Sequence, residues 1–105
     1  MVAKRRLGPF TVNPIGLGCM SLSHAYGTPP SISDASFLLN HALDLGYDLI
    51  DTAAIYGFGA NERLIGAAIG HRRSEFVLAS KCGMTAVDGK RVIDGRPETL
   101  RHTLE

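Results

Sequence analysis

Few cysteines, no excess of either charge and no long apolar run set the first limits on this 105-residue chain. Cys19 and Cys82 are its two cysteines, and neither sits in a CxxC or CxxH spacing. A disulfide scaffold and a zinc site are both poorly supported, and buried, inert, reduced thiols in a cytoplasmic protein are the expectation. Lys and Arg number 11 against 10 Asp and Glu, a formal charge of +1. That balance leaves no electrostatic footprint for nucleic acid or an acidic membrane. The one basic cluster, Lys4-Arg5-Arg6, has no interleaved aromatic and reads as a solvated strand end. No stretch approaches the ~20 apolar residues of a membrane span. Met1 to Phe10 carries no apolar segment after its charges, which predicts no signal peptide.

What is present is an ordinary globular composition, 45% hydrophobic and 20% charged, in a length that fits one domain at most. The order of elements reads as a β-hairpin over residues 1–14 followed by strand–helix units over 15–105. Gly8-Pro9 punctuates two β-compatible runs, Arg5 to Leu7 and Phe10 to Val12. Ile15 to Cys19 is apolar without alternation, as suits a strand covered on both faces. After a Gly/Pro/Ser-rich loop, Ser31 or Ser33 can cap a helix whose stripe is Ala35, Leu38, Leu39 and Ala42, with Gly46 as its stop. Tyr47 to Thr52 is the second strand. Asn61 opens a second helix with Leu64, Ile65, Ala68 and Ile69 on one side. Phe76 to Ser80 is the third strand, and a polar, Gly-bearing segment leads to Pro97 at the start of a third helix. Such alternation implies a parallel sheet with helices outside, in either a (β/α)8 barrel or an open doubly wound sheet. In a barrel, the leading hairpin would plug the bottom.

Three polar residues then fall at the C-terminal rim of that sheet. Asp51 ends the second strand, Tyr56 follows in a Gly-rich loop, and Lys81 ends the third apolar run. Neighbouring strands lie only ~4.8 Å apart, so the three groups can meet without special folding. A free tyrosine titrates near ~10 and is a reluctant acid at neutral pH. A nearby lysine cation favours the phenolate, and Asp51 would hold that lysine charged and oriented. The phenol could then pass a proton to a carbonyl oxygen as hydride reaches its carbon. The hydride must come from a cofactor, for which a nicotinamide is the natural choice. Singly, each residue has a plain structural reading: a loop-bonding acid, a packing tyrosine, a solvated lysine. Together they are far more specific.

The run from Asp51-Thr-Ala-Ala-Ile-Tyr56 through Gly57-Phe-Gly-Ala-Asn-Glu62, with Leu64-Ile-Gly66, resembles the aldo-keto reductase family. Ile15 to Met20 and Val77 to Lys81 are similar to that family's first and third barrel strands, and Gly95 to Glu98 to the opening of its third helix. The resemblance implies a (β/α)8 TIM barrel, of which this chain holds about three of eight βα units, the third helix incomplete. It also implies NADP(H)-dependent interconversion of aldehydes or ketones and alcohols. Carried over by position, Tyr56 would be the proton donor and Asp51 and Lys81 its supports. Gly18, Met20 and Asp51 lie where cofactor contacts begin, and the partner would be a small-molecule carbonyl or alcohol substrate.

The family's fourth catalytic residue is a histidine on a fourth strand, beyond Glu105. His102 falls in the third helix and does not replace it; His41 and His71 read as surface positions, and His24 as a loop position able to line the mouth of the site. Two other functional readings therefore stand beside the enzyme. One is a non-catalytic remnant, or a piece that works only with a complementing chain. The other is a metal-dependent sugar isomerase using His24 and Asp51, although a carboxylate-rich ligand set is not apparent. Gly57-Phe-Gly lacks the third glycine and the strand-adjacent placement of a dinucleotide turn, which argues against the open Rossmann sheet.

Overall fold

The computed structural model describes residues 2–23 and 27–105. Two short strands, β1 (Arg5–Leu7) and β2 (Phe10–Val12), form an antiparallel hairpin in which Arg5 faces Val12 and Leu7 faces Phe10. The chain then enters a three-stranded parallel sheet of β3 (Leu17–Gly18), β4 (Leu49–Asp51) and β5 (Val77–Ala79). Between these strands run α1 (Ile32–Asp44) and α2 (Ala60–Ile69). An antiparallel pair follows, β6 (Met84–Val87) and β7 (Lys90–Ile93), and then α3 (Pro97–Leu104). Parallel strands joined through helices, in the order β3-β4-β5, are successive βα units lying side by side.

Local chemistry accounts for the helices. Ser31 caps α1, its hydroxyl accepting the Asp34 N–H at 3.0 Å. Pro97 starts α3, where a missing N–H costs nothing. On α1 the buried residues are Ala35, Leu39, Ala42 and Leu43, while Leu38 is exposed. The expected stripe is thus turned toward Leu43, because α1 must meet both α2 and the sheet. The core joins Leu39 and Leu43 of α1, Ile50 of β4, Ile65 and Ile69 of α2, and Phe76 at the entrance to β5.

Asp48, just before β4, fixes the hairpin to the sheet. One carboxylate oxygen accepts the Asn13 N–H at 2.7 Å and the other the Lys4 ammonium at 2.9 Å. Burial works against its charge, but these two donors hold the Asp48 carboxyl below the usual carboxylate range. The hairpin therefore sits at the N-terminal end of the parallel strands, opposite the rim that carries Asp51 and Lys81.

The segment after β5 differs from the polar loop expected there. Met84–Val87 pairs with Lys90–Ile93 across Asp88-Gly89, both of which have positive φ (+50° and +75°). Two left-handed residues make the turn that suits the twist of a two-residue hairpin, and Asp-Gly is a strong signal for it. Among the described residues, no helix is long and apolar enough to cross a membrane.

Candidate functional site

The site begins where β4 and β5 stop being a regular ladder but keep bonding. Thr52 donates its N–H to Ala79 at 2.8 Å, and Ala54 donates to the Lys81 carbonyl at 3.0 Å. This zipper carries the loop after β4 alongside the segment after β5 and sets Tyr56 beside Lys81. The loop then turns sharply into α2 through Gly57, Phe58 and Gly59, with φ of +62°, +51° and +92°. At Gly57 a Cβ would also come within 3.0 Å of the Ala60 methyl, so the bend needs glycine for space as well as conformation.

Lys81 is the hub. Its ammonium donates to Asp51 Oδ2 at 2.7 Å, to the Thr52 carbonyl at 3.0 Å and to Tyr56 Oη at 3.4 Å. Three donors thus meet three acceptors, which fixes the position of Nζ. Partial burial works against the lysine charge, yet the hydrogen bonds to Asp51 and Tyr56 prevail and raise its pKa above the ordinary lysine value. The ion pair is half open to solvent, with side-chain exposures of 52% for Lys81 and 43% for Asp51, so its role is geometric more than stabilising.

Behind the hub lies a buried polar knot. The Thr52 hydroxyl donates to Asn61 Oδ1 at 2.5 Å, and Asn61 Nδ2 donates to the Cys19 carbonyl at 2.7 Å and to Ser23 Oγ at 2.8 Å. Thr52 and Asn61 are fully buried, and the knot ties the first turn of α2 to the ends of β3 and β4. Asn61 reads in the sequence as a helix start; its role is visible only once three elements converge on it.

A cleft of about 290 Å³ opens at this rim. Met20, Ala53, Ile55 and Met84 give it apolar walls, and Tyr56 and Lys81 face it. Cys82 and Arg91 line it too. Of the positions expected to meet a cofactor, Met20 lines the cleft, Asp51 holds Lys81, and Gly18 is the register partner of Asp51 on the neighbouring strand.

Other candidates fall elsewhere. His41, His71 and His102 are exposed, on α1, on the turn after α2 and on α3; His24 lies outside the described residues. Cys19 is buried as expected, its thiol pushed up to about 11, chiefly by burial and then by the nearby Asp51 charge. Cys82, expected to be buried, is exposed, because it follows the last strand residue on an open rim. Among the described residues no group of three or more His, Cys, Asp or Glu side chains is placed to hold a metal ion.

The chain resembles known proteins in both sequence and fold. The chain is 38% identical over 109 aligned residues to the aldo-keto reductase yakc [NADP(+)] of Schizosaccharomyces pombe, a match covering 99% of this chain and 32% of that protein. Its structure superposes on the holo form of aldo-keto reductase AKR11C1 from Bacillus halodurans with a TM-score of 0.84 at 32% identity, over 99% of this chain and 34% of the other. An aldo-keto reductase from Klebsiella pneumoniae in complex with NADPH matches with a TM-score of 0.63 at 32% identity, over 76% and 28%. The chain spans about a third of the length of these relatives, and its fold is the corresponding part of their (β/α)8 barrel. The Aldo/keto reductase family model matches residues 14–105, and the chain belongs to that family.

Proposed function

We propose that this chain carries the proton-donating part of an NADP(H)-dependent site that interconverts aldehydes or ketones and alcohols. The observation that carries the reading is the Lys81 ammonium held between Asp51 Oδ2 at 2.7 Å and Tyr56 Oη at 3.4 Å, on the wall of a cleft. In reduction, Tyr56 gives its proton to the carbonyl oxygen of the substrate. Negative charge then gathers on a phenol oxygen that already accepts from Lys81. Because Asp51 and the Thr52 carbonyl hold Nζ in advance, little rearrangement is needed at that moment. In oxidation the same oxygen takes the proton from the alcohol.

The rim fits a nicotinamide. A Cβ on Gly18 would meet no atom within 4 Å, so the backbone there is open to a flat ring. Met20 offers an apolar contact, and Asp51 Oδ1 has no hydrogen-bond partner among the described residues while Oδ2 holds Lys81. These three residues would hold that end of the cofactor. NADP(H), when bound, supplies or accepts the hydride, which no side chain can do. The cleft is at the small end of ligand sites, which run upward from about 300 Å³. A small-molecule substrate and a cytoplasmic setting belong to the same proposal.

A second reading is favoured by a specific feature: β3 and β5, the outer strands of the sheet, have no further strand partner among the described residues. On that reading the chain works only with a complementing polypeptide that supplies later βα units, or is a non-catalytic remnant. One experiment separates the readings. NADPH binding is followed by fluorescence quenching, and benzaldehyde reduction by NADPH consumption, with the chain alone and mixed with a polypeptide carrying the later units of a related reductase. Activity in either preparation should fall at least a hundredfold in Tyr56→Phe, the lower range for loss of a general acid. Undiminished activity in Tyr56→Phe would sink the proposed role. No NADPH binding in either preparation would leave the remnant.

A further inference from the structure

Arg91 is absent from the proton-donating cluster, yet it lines the same cleft as Tyr56 and Lys81. It is carried by β7 and stands opposite Ala86 in the β6–β7 ladder, so a closed two-residue turn and a regular register fix its backbone. The guanidinium makes no ion pair and no side-chain hydrogen bond among the described residues, where the ion pairs engage Lys4, Arg72, Lys81 and Arg96. The other cation of the cleft, Lys81, is already matched by Asp51. The cleft therefore holds one uncompensated positive charge beside apolar walls from Met20, Ile55 and Met84.

We infer that Arg91 selects carbonyl compounds that also carry a carboxylate, with an apolar body between the two groups. This rests on the proposed reading of the cleft as a carbonyl site and names its substrate class. Three features of the cleft meet that description. A planar guanidinium pairs a carboxylate through two parallel N–H donors. The apolar walls take the body of the molecule, and about 290 Å³ accommodates one ring with small substituents. The carbonyl oxygen then faces the Tyr56–Lys81 pair while the carboxylate faces Arg91. The hairpin that supplies both Met84 and Arg91 is thus a specificity element rather than a passive loop.

The test compares two aldehydes of the same shape, 4-carboxybenzaldehyde and the neutral 4-formylbenzamide. Binding to the isotope-labelled 105-residue chain is measured by NMR titration, for wild type, Arg91→Gln and Arg91→Lys, with circular dichroism to check that each is folded. Wild type should bind the carboxylate about threefold more tightly at low salt, the size expected for a partly exposed ion pair. The preference should shrink as salt screens it. Arg91→Gln should abolish it, and Arg91→Lys should restore part of it. Equal binding of both aldehydes to wild type, or a preference that survives Arg91→Gln, overturns this inference and leaves the carbonyl site standing. If neither aldehyde binds the chain, alone or mixed with a polypeptide carrying the later units, both readings fall. If Arg91→Gln weakens NADPH binding, followed by fluorescence quenching, and leaves the aldehyde preference intact, the cation belongs to the cofactor and the inference is again overturned.

Discussion

Lys81 shows how one side chain can be set by three weak anchors rather than by burial. Its charge is kept by Asp51 and Tyr56 against partial desolvation, so its folded pKa lies above that of the unfolded chain. A raised folded pKa contributes stability that is fully present below the unfolded value, near ~10.4, and is lost as pH rises through the folded value. Asp51→Asn removes the strongest anchor. The Lys81 pKa, read by NMR after reductive methylation, should then fall below its wild-type value, and no change would show that Asp51 does not hold it. The two cysteines differ in the same physical terms. Cys19 is buried and its thiol is pushed up to about 11, so it stays neutral at pH 8, whereas Cys82 is exposed on the rim. A disulfide reagent at pH 8 should modify one thiol per folded chain quickly and the second only on unfolding. Two fast thiols would contradict the fold around β3.

Elements are joined by polar contacts as much as by the core. Asn61, in the first turn of α2, satisfies the Cys19 carbonyl behind β3 and the Thr52 hydroxyl behind β4. Asn61→Ala leaves the buried Thr52 hydroxyl unpaired, at about 1–3 kcal/mol, while the Cys19 carbonyl keeps the Leu22 N–H at 3.0 Å. Urea unfolding of that variant should therefore show a loss of about 1–3 kcal/mol, with a comparable denaturant slope. A loss under about 0.5 kcal/mol, typical of surface substitutions, would mean that water replaces the amide. At this scale the sequence was legible where a periodic pattern carries the information, as in α1, α2 and the three parallel strands. It was not legible at Asn61, whose partners lie 9 to 42 residues away. The β6–β7 hairpin was readable in principle from Asp88-Gly89 between short runs.

As a whole molecule, the chain is more extended than its length requires. Its radius of gyration is 14.8 Å, against about 13 Å for a compact domain of this size. The excess fits a sheet whose outer strands β3 and β5 have no neighbour among the described residues, with Ile15 and Leu78 exposed near those edges. Unpaired strand edges with exposed apolar groups favour association. Sedimentation velocity on the 105-residue chain alone should show a mean mass that rises with concentration, and adding a polypeptide with the later βα units should suppress the rise. A monomer over the whole concentration range would show that the open edges are protected.

The sequence by itself determined the order of the leading hairpin, the three parallel strands and the three helices, and the family, because periodicity, caps and the Asp51-to-Glu62 run are properties of contiguous residues. It also located Asp51, Tyr56 and Lys81 on one rim, since parallel strands bring their C-terminal ends together whatever lies between them. Tertiary structure alone decided that the Lys81 ammonium reaches both Asp51 and Tyr56, that Asn61 ties α2 to the ends of β3 and β4, and that Arg91 shares their cleft. Those facts depend on distances between residues 9 to 42 positions apart in the chain, which no local pattern encodes.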